Sequence, residues 1–225
     1  MKSILSLLLA MGFASATLAQ QPATSANTVT DALTKKRTLQ ENSNVKNVAF
    51  KNIGPTIMSG RIVDVAVNPS NPNEFYAAYA SGGLWHTTNN GTTFTPVLDT
   101  SDTQNIGDIA VDWKSNTIWV GTGENNNQRS VAYGDGVYKS LDGGASWKNM
   151  GLKESERISD IIIHPTNSNI VWVSAQGPLW TSGGERGLYK TTDGGATWKQ
   201  VLKPADEWTG VTSLLIDPRN PDRLY

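Results

Sequence analysis

Two short stretches decide the fold of this chain: Ser140-Leu-Asp-Gly-Gly-Ala-Ser-Trp147 and Thr191-Thr-Asp-Gly-Gly-Ala-Thr-Trp198. A degenerate copy precedes them, Thr87-Thr-Asn-Asn-Gly-Thr-Thr-Phe94, in which Asn89 replaces the aspartate and Phe94 the tryptophan. We call these three segments the repeat turns. The hydroxyl residues that begin them are 53 and 51 residues apart. A repeat of about 50 residues built from short apolar runs is typical of the four-stranded blades of a β-propeller.

Each position of a repeat turn has a physical reason. The aspartate can accept hydrogen bonds from turn amides, and the glycine can adopt a positive φ without steric cost. The tryptophan can bury a large ring while its N–H finds a backbone partner. We therefore predict a structural role for twelve positions: Thr87, Asn89, Gly91, Phe94, Ser140, Asp142, Gly144, Trp147, Thr191, Asp193, Gly195 and Trp198.

A second, apolar motif alternates with the repeat turns. Its four copies end 44, 52 and 53 residues apart, at Asn68, Asp112, His164 and Asp217. Further short runs rich in Val, Ile, Tyr and Trp follow each copy, bounded by Gly, Asn, Asp and Pro, which is typical of strands. We therefore predict an all-β fold, a β-propeller in which each unit contributes four strands and the apolar motif is the inner one.

The repeat also predicts where each blade lies. The units cover residues 60–99, 106–150 and 157–202, and the opening strands of a fourth cover 210–225. The next repeat turn would fall beyond Tyr225, so we expect an incomplete propeller over residues 46–225, with the rest of the ring outside this chain. Residues 46–53 have apolar positions that alternate, and we hypothesise that they close the ring.

The first residues resemble an export signal. Residues 1–19 contain Lys2, a short apolar run and small residues before a predicted cleavage site after Ala19. The apolar run is shorter than the roughly 20 residues that cross a bilayer. We therefore expect a secreted, periplasmic or cell-surface protein with no membrane span after cleavage. The polar residues 20–45 are predicted to be a linker or arm, with a short helix over 31–41 as one option.

The composition excludes several classes of protein. The 225 residues include 19 Lys and Arg against 20 Asp and Glu, a net charge of −1, so the excess positive charge of a nucleic-acid-binding protein is missing. The chain has no cysteine, which excludes a disulfide scaffold, a cysteine nucleophile and a cysteine-based zinc site. No nucleotide-binding loop or metal-ligand pattern occurs in the sequence, and we expect neither a cofactor nor a metal.

The repeat turns resemble the Asp-box, or bacterial neuraminidase repeat, of sialidases, xyloglucanase-type glycoside hydrolases and sortilin-like receptor propellers. From residue 48 onwards, the chain is similar to exported bacterial proteins with sortilin-like propellers, which are often labelled glycosyl hydrolases. The matching stretches include Ser81-Gly-Gly-Leu-Trp85, Gly121-Thr-Gly-Glu-Asn125 and Gly134-Asp-Gly-Val-Tyr138. The resemblance implies a propeller fold with its repeat turns away from the active face.

Function is expected on the face where the inner strands begin and the loops between second and third strands converge. The carboxylates of these loops are the candidate catalytic residues, namely Glu124, Asp135 and Glu185. Amide, arginine and aromatic side chains suit sugar hydroxyls, sugar faces and peptide backbones. The candidate ligand-binding residues are therefore Arg61, Asn125, Asn126, Arg129, Tyr133, Trp180 and Arg186.

Three aspartates recur near the start of the inner strands, at Asp64, Asp108 and Asp160. We expect them to close the central channel with hydrogen bonds. Arg61 begins the first inner strand, and we predict that it pairs with these carboxylates in a structural network.

Two positions differ from the glycosidases that the repeat turns resemble. Lys51 stands where the sialidase motif has its first arginine, and Ala80 stands two residues before a Gly-Gly pair, where the xyloglucanase group has a catalytic aspartate. Our first interpretation is therefore an exported recognition module that binds a glycan, a peptide or a partner protein through its loop face. The alternative is a glycoside hydrolase of the Asp-box type, xyloglucanase-like or sialidase-like. A non-catalytic scaffold domain of a larger surface protein is the third. The sequence leaves open whether the protein is an enzyme.

Overall fold

The computed structural model describes residues 24–48, 60–125 and 132–225. Several sequence predictions fall outside the described residues. They are the signal peptide at 1–19, most of the closing strand at 46–53, Lys51, Asn126 and Arg129.

The predicted polar arm contains a helix, α1 (Ala26–Glu41). It begins five residues before the expected 31–41 because Ser25 caps its first turn, where the Ser25 hydroxyl accepts a hydrogen bond from the Thr28 amide at 3.2 Å. The helix has no buried residue. It contacts the propeller through an ion pair of 2.5 Å between Arg37 and Asp102.

The strands form one sheet per predicted unit. Blade one contains β1 (Ile62–Val67), β2 (Phe75–Tyr79), β3 (Gly83–Thr87) and β4 (Thr95–Pro96). Blade two contains β5 (Ile106–Asp112), β6 (Thr117–Thr122), β7 (Val137–Ser140) and β8 (Lys148–Asn149). Blade three contains β9 (Ile158–His164), β10 (Asn167–Ala175), β11 (Gly187–Thr191) and β12 (Lys199–Leu202). The fourth unit contributes β13 (Ile216–Asp217) and β14 (Asn220–Leu224).

Within each blade, consecutive strands pair antiparallel and lie side by side in chain order. This arrangement confirms the predicted all-β fold of three blades and the start of a fourth. The outer strands are short. β4 pairs with β3 at Thr95 and Pro96, and one further backbone bond of 2.9 Å runs from the Val97 amide to the Leu84 carbonyl. The inner strand β5 begins at Ile106, which pairs with Thr122 beyond a bulge near Asp108.

The hydrophobic core lies between neighbouring blades. Every residue of β6 is buried, because blade one covers one face of this strand and blade three covers the other. Ile118 and Val120 belong to the cluster shared with blade one, whereas Trp119, between them in the sequence, belongs to the cluster shared with blade three. This division follows from the period of two residues along a strand.

The repeat turns are closed by their own side chains. The Asp142 carboxylate accepts hydrogen bonds from the Ser146 amide at 2.9 Å, the Ser146 hydroxyl at 2.6 Å and the Ser140 hydroxyl at 2.7 Å. In blade three, Asp193 makes the same three contacts with Thr197 and Thr191. In blade one, Asn89 accepts from the Thr93 amide at 2.9 Å, so the amide oxygen replaces the carboxylate oxygen.

Polar contacts join neighbouring blades at both ends of the sheets. At the outer edge, the indole N–H of Trp147 in blade two donates to the carbonyl of Val97 in blade one at 2.6 Å. At the inner edge, the Asp108 carboxylate of blade two accepts from the Ile161 amide of blade three at 2.6 Å. The Asp160 carboxylate in turn accepts from the Leu214 amide at 2.8 Å. The hydrogen bonds that the sequence predicts around the channel are thus bonds between successive blades.

Candidate functional site

The loop face is the side of the propeller on which the inner strands begin. On this side, the loops between second and third strands contact the loops that join one blade to the next. Gly123 donates to the Asn105 carbonyl at 3.0 Å, and Glu185 donates to the Glu154 carbonyl at 3.1 Å. These backbone bonds hold each loop between second and third strands against the loop that enters the same blade.

Arg61 does not pair with the channel aspartates, which corrects the sequence prediction. Its guanidinium forms an ion pair with Glu124, the second residue after β6. The Arg61 side chain is 47% exposed and that of Glu124 is 2% exposed. Burying a carboxylate without a partner costs several kcal/mol. Arg61 therefore stabilises the buried Glu124 carboxylate. The rest of the Arg61 side chain faces solvent on the loop face.

The channel aspartates are occupied by backbone donors and by one another. Burial, with the Asp64 carboxylate nearby, raises the pKa of Asp108 to about 8. Burial also raises the pKa of Asp160 to about 6 and raises that of Asp64. Neighbouring carboxylates that are removed from water resist simultaneous ionisation. Asp108, whose pKa lies above 7, is therefore largely protonated at neutral pH, while Asp108 and Asp160 each accept an amide hydrogen bond from the next unit.

Asp135 is buried below the loop face. Its carboxylate accepts a hydrogen bond of 2.7 Å from the Tyr138 hydroxyl, and the Asn149 side chain donates to its main-chain carbonyl at 2.9 Å. Burial raises the pKa of Asp135. Tyr138 belongs to the core of the propeller. These contacts connect the loop to the core and leave little of the carboxylate, in a residue only 7% exposed, for a ligand.

Glu185 is half-buried, and one of its carboxylate oxygens accepts the Glu154 amide at 2.9 Å. Burial, with the Glu154 carboxylate as a smaller cause, raises the pKa of Glu185. Since Glu185 also donates its own amide to the Glu154 carbonyl, the two residues join two loops by a reciprocal pair of bonds. All three candidate catalytic carboxylates thus make contacts that shape loops.

Arg186 was predicted to bind ligand, but the structure shows a buried residue that is 6% exposed. Its guanidinium donates only to main-chain carbonyls. They belong to Gly183, Gln176, Trp208, Pro178 and Thr181. Because a guanidinium has five N–H donors, these five bonds use all of them. Arg186 therefore organises the loop, and its role in binding a ligand stays a prediction.

Among the residues that the structure describes, three large aromatic side chains are exposed on the loop face. Tyr133 is 57% exposed and Trp180 is 68% exposed, so both predicted ligand-binding aromatics lie at the surface. Trp208, which the sequence analysis did not single out, is 56% exposed. It lies in the loop that leaves blade three, whereas the predicted aromatic candidates belong to the loops between second and third strands. A tryptophan among the polar residues 206–209 is the signal that could have identified it.

The side-chain amide of Asn125 donates one hydrogen bond, to the Ser159 carbonyl of blade three at 3.3 Å.

Among the described residues, no three acidic, histidine or cysteine side chains are grouped to hold a metal ion. Within the same ranges, no helix has the length and apolar character needed to cross a membrane.

No protein-family model matches the chain. Two curated proteins are similar to it. A xyloglucanase from a Paenibacillus species is 29% identical over 164 residues, which cover 69% of this chain and 14% of the relative. A probable oligoxyloglucan-reducing end-specific xyloglucanase from Neosartorya fischeri is 28% identical over 173 residues, which cover 68% of this chain and 19% of the relative. The chain thus spans less than a fifth of either relative's length.

Solved structures similar to the chain are β-propellers. A GH74 enzyme from Niastella koreensis has a TM-score of 0.55 at 22% identity, covering 71% of this chain and 24% of its own. A GH74 xyloglucanase from Xanthomonas campestris has a TM-score of 0.53 at 21% identity, covering 71% and 25%. YCF48, solved bound to a D1 peptide, has a TM-score of 0.50 at 15% identity, covering 72% and 47%. At these identities the likeness concerns the fold alone.

Proposed function

We propose that this chain is the glycan-binding part of an exported propeller of the glycoside hydrolase type, and that its ligand is a β-glucan of the xyloglucan kind. The observation that carries the proposal is the similarity to two curated xyloglucanases over 69% and 68% of the chain. The exposed aromatics of the loop face agree with it, because aromatic rings pack against the apolar face of a sugar. The predicted leader at residues 1–19 is the basis for export.

We assign binding, rather than bond cleavage, to these blades. Hydrolysis of a glycosidic bond needs two carboxyl groups about 5–9.5 Å apart on either side of that bond. Glu124 is held by Arg61, Asp135 by Tyr138 of β7, and Glu185 by the Glu154 amide of the preceding loop. Ala80 occupies the position that, by the resemblance to xyloglucanases, would carry a catalytic aspartate. The reacting pair of an active enzyme would therefore come from elsewhere in the protein.

Recognition without hydrolysis is the second candidate function, and Ala80 favours it. A methyl side chain at this position cannot transfer a proton or attack a sugar carbon. The two candidates predict the same binding surface and differ only in turnover. Measuring binding and turnover on the same preparation separates them.

The test uses the full-length protein with xyloglucan oligosaccharides, with binding measured by calorimetry and hydrolysis by the release of reducing ends. We expect binding, and we expect any hydrolysis to persist in the single variants Asp135→Asn and Glu185→Gln. Leu141→Ala, at an exposed residue of a repeat turn, is the control for a substitution on the opposite face. Failure to bind any xyloglucan-type glucan would overturn the proposal. Loss of hydrolysis in either variant, with an unchanged melting temperature, would contradict the assignment of binding alone.

A further inference from the structure

We propose that Trp180 and Trp208 form one platform for stacking the sugar rings of a neutral β-glucan, and that Arg186 positions both. The inference rests on the proposed function and identifies where on the loop face the glucan binds. We call these two indoles and the loops that carry them the tryptophan platform.

Arg186 holds both tryptophan-bearing segments at once. Its Nη2 donates to the carbonyls of Pro178 and Thr181, on either side of Trp180. Its Nη1 donates at 2.9 Å to the carbonyl of Trp208 itself. Hydrogen bonds from a charged donor are roughly twice as strong as neutral ones. One buried cation therefore fixes the main chain beneath both indoles.

Three further hydrogen bonds stiffen the platform. The Gly183 amide in the first loop donates to the Glu207 carbonyl in the second at 2.9 Å. The Asp206 carboxylate accepts the Trp208 and Thr209 amides, each at 2.8 Å. Tryptophan has only two side-chain torsions, so a rigid backbone leaves little freedom to lose when a ligand binds. The loops are thus organised in advance of binding.

Both indoles present a large exposed surface to a ligand. Trp180 is 68% exposed and Trp208 is 56% exposed, and neither belongs to the buried clusters that include blade three. Keeping large apolar rings in water forgoes the free energy that their burial would supply. A pyranose ring matches such a surface, because its apolar face can stack on an indole while its hydroxyls lie at the edge.

A cavity of about 350 Å³ adjoins the platform and supplies polar groups for sugar hydroxyls. Its lining includes Gln200, Lys203, Asp206 and Glu207. With Arg186, which also lines the cavity, two cations stand beside two carboxylates, so the site carries no strong charge of one sign. Binding sites of this kind combine a few polar groups that orient the ligand with apolar surface that holds it. We therefore infer a neutral glucan rather than an acidic polysaccharide.

The test compares binding of cellohexaose and of a xyloglucan heptasaccharide to full-length wild-type protein and to Trp180→Ala, Trp208→Ala and Trp208→Tyr. We expect each alanine variant to lose roughly tenfold in affinity and the tyrosine variant to retain most of it. Leu141→Ala, on the opposite face, is expected to bind as the wild type does. Polygalacturonate and an unrelated peptide are the competing probes, and preferential binding of either would overturn the assignment to a neutral glucan.

Arg186 is tested as a positioning residue by combining Arg186→Lys with Trp208→Ala. If the guanidinium holds the indole in place, the tryptophan substitution will cost less affinity in the lysine background than alone. A purely structural role would leave the two effects on affinity additive. If the wild type binds the glucans and the tryptophan variants bind equally well, the platform is wrong and the proposed function stands. If the wild type binds neither glucan, the proposed function itself is wrong.

Discussion

The indole N–H of Trp198 in blade three donates to the main-chain carbonyl of Met150 in blade two across 2.8 Å. Trp147 makes the equivalent bond one blade earlier, to Val97. The conspicuous tryptophan of the repeat turn therefore serves the junction with the preceding blade and not only its own hairpin. Phe94, at the same position in blade one, has no N–H to offer.

This relationship predicts the effect of Trp198→Phe. The substitution keeps an aromatic ring but leaves the Met150 carbonyl without its donor, which costs roughly 1–2 kcal/mol. Urea unfolding should show a lower midpoint with an unchanged slope. Trp208→Phe is the matched control, because the Trp208 indole is exposed, and its effect should remain within about 0.5 kcal/mol. Equal midpoints for the two variants would contradict the interpretation.

A second prediction concerns Gly144, whose φ of +96° suits glycine. A Cβ at this position would lie 2.8 Å from the Cβ of Val97 in the preceding blade. Gly144→Ala should therefore destabilise the protein by about 2–4 kcal/mol, from the strained backbone and the clash together. Gly183→Ala measures the backbone cost alone, because its φ is +80° and a Cβ there meets nothing within 4 Å. The difference between the two variants in thermal unfolding should be at least about 1 kcal/mol, and its absence would exclude close packing at this junction.

A third prediction concerns acid. Hydrogen bonds from Ser146 and Ser140 lower the pKa of Asp142 to about 2, below the value near 3.9 of an unfolded aspartate. A lowered pKa stabilises the fold above pH 4, and this stabilisation is lost as the pH falls toward 2. Asp142→Asn should lose less stability than the wild type over that range, since Asn89 already shows that an amide fits the turn. Melting temperatures at pH 4, 3 and 2 test this. Asp31→Asn, on the exposed helix, controls for charge, and equal slopes for the two variants would count against the turn as the cause.

The channel aspartates predict the opposite dependence on pH. The pKa of Asp108 is raised to about 8, so the folded state holds a proton that the unfolded state releases above pH 4. The stabilisation is complete below pH 4 and is lost as the pH rises through 8. Asp108→Asn keeps an oxygen for the Ile161 amide and removes the titration, so its melting temperature should fall less between pH 5 and 9. A 1 kcal/mol difference corresponds to about 2–4 °C for a chain of this size.

The control for that experiment is Asp99→Asn, which removes a negative charge from an exposed loop. Its melting temperature should follow the wild type across the same range. A parallel decline in all three proteins would show that the channel carboxyls do not govern stability in alkali.

The fold could be predicted because its decisive contacts are local. In each repeat turn the partners of the aspartate lie within four residues, so their spacing is visible in the sequence. β6 and β7 are short runs that contain Val, Ile, Tyr and Trp, which is the residue pattern from which the strands were predicted.

The site was less predictable because its contacts cross between loops. Nothing in the sequence places Glu124 beside Arg61, since that depends on how far the loop after β6 reaches over blade one. The partners of Arg186 are main-chain carbonyls, which carry no residue-specific signal. The sequence therefore identified Arg186 as a candidate in a variable loop but did not predict that it binds main-chain carbonyls.

The hydrogen bonds between neighbouring blades affect how the number of blades in such a protein can change. Blades two and three each offer a carboxylate to the next unit and an indole N–H to the preceding one, through Asp108 and Trp147 in blade two and through Asp160 and Trp198 in blade three. The acceptor and the donor on the neighbouring units are main-chain groups, present whatever the side chains. A unit that is duplicated in register would therefore be able to form both interblade hydrogen bonds without further substitutions. Gene duplication alone could then add blades, and the curvature of the ring, rather than the evolution of new contacts, would set their number.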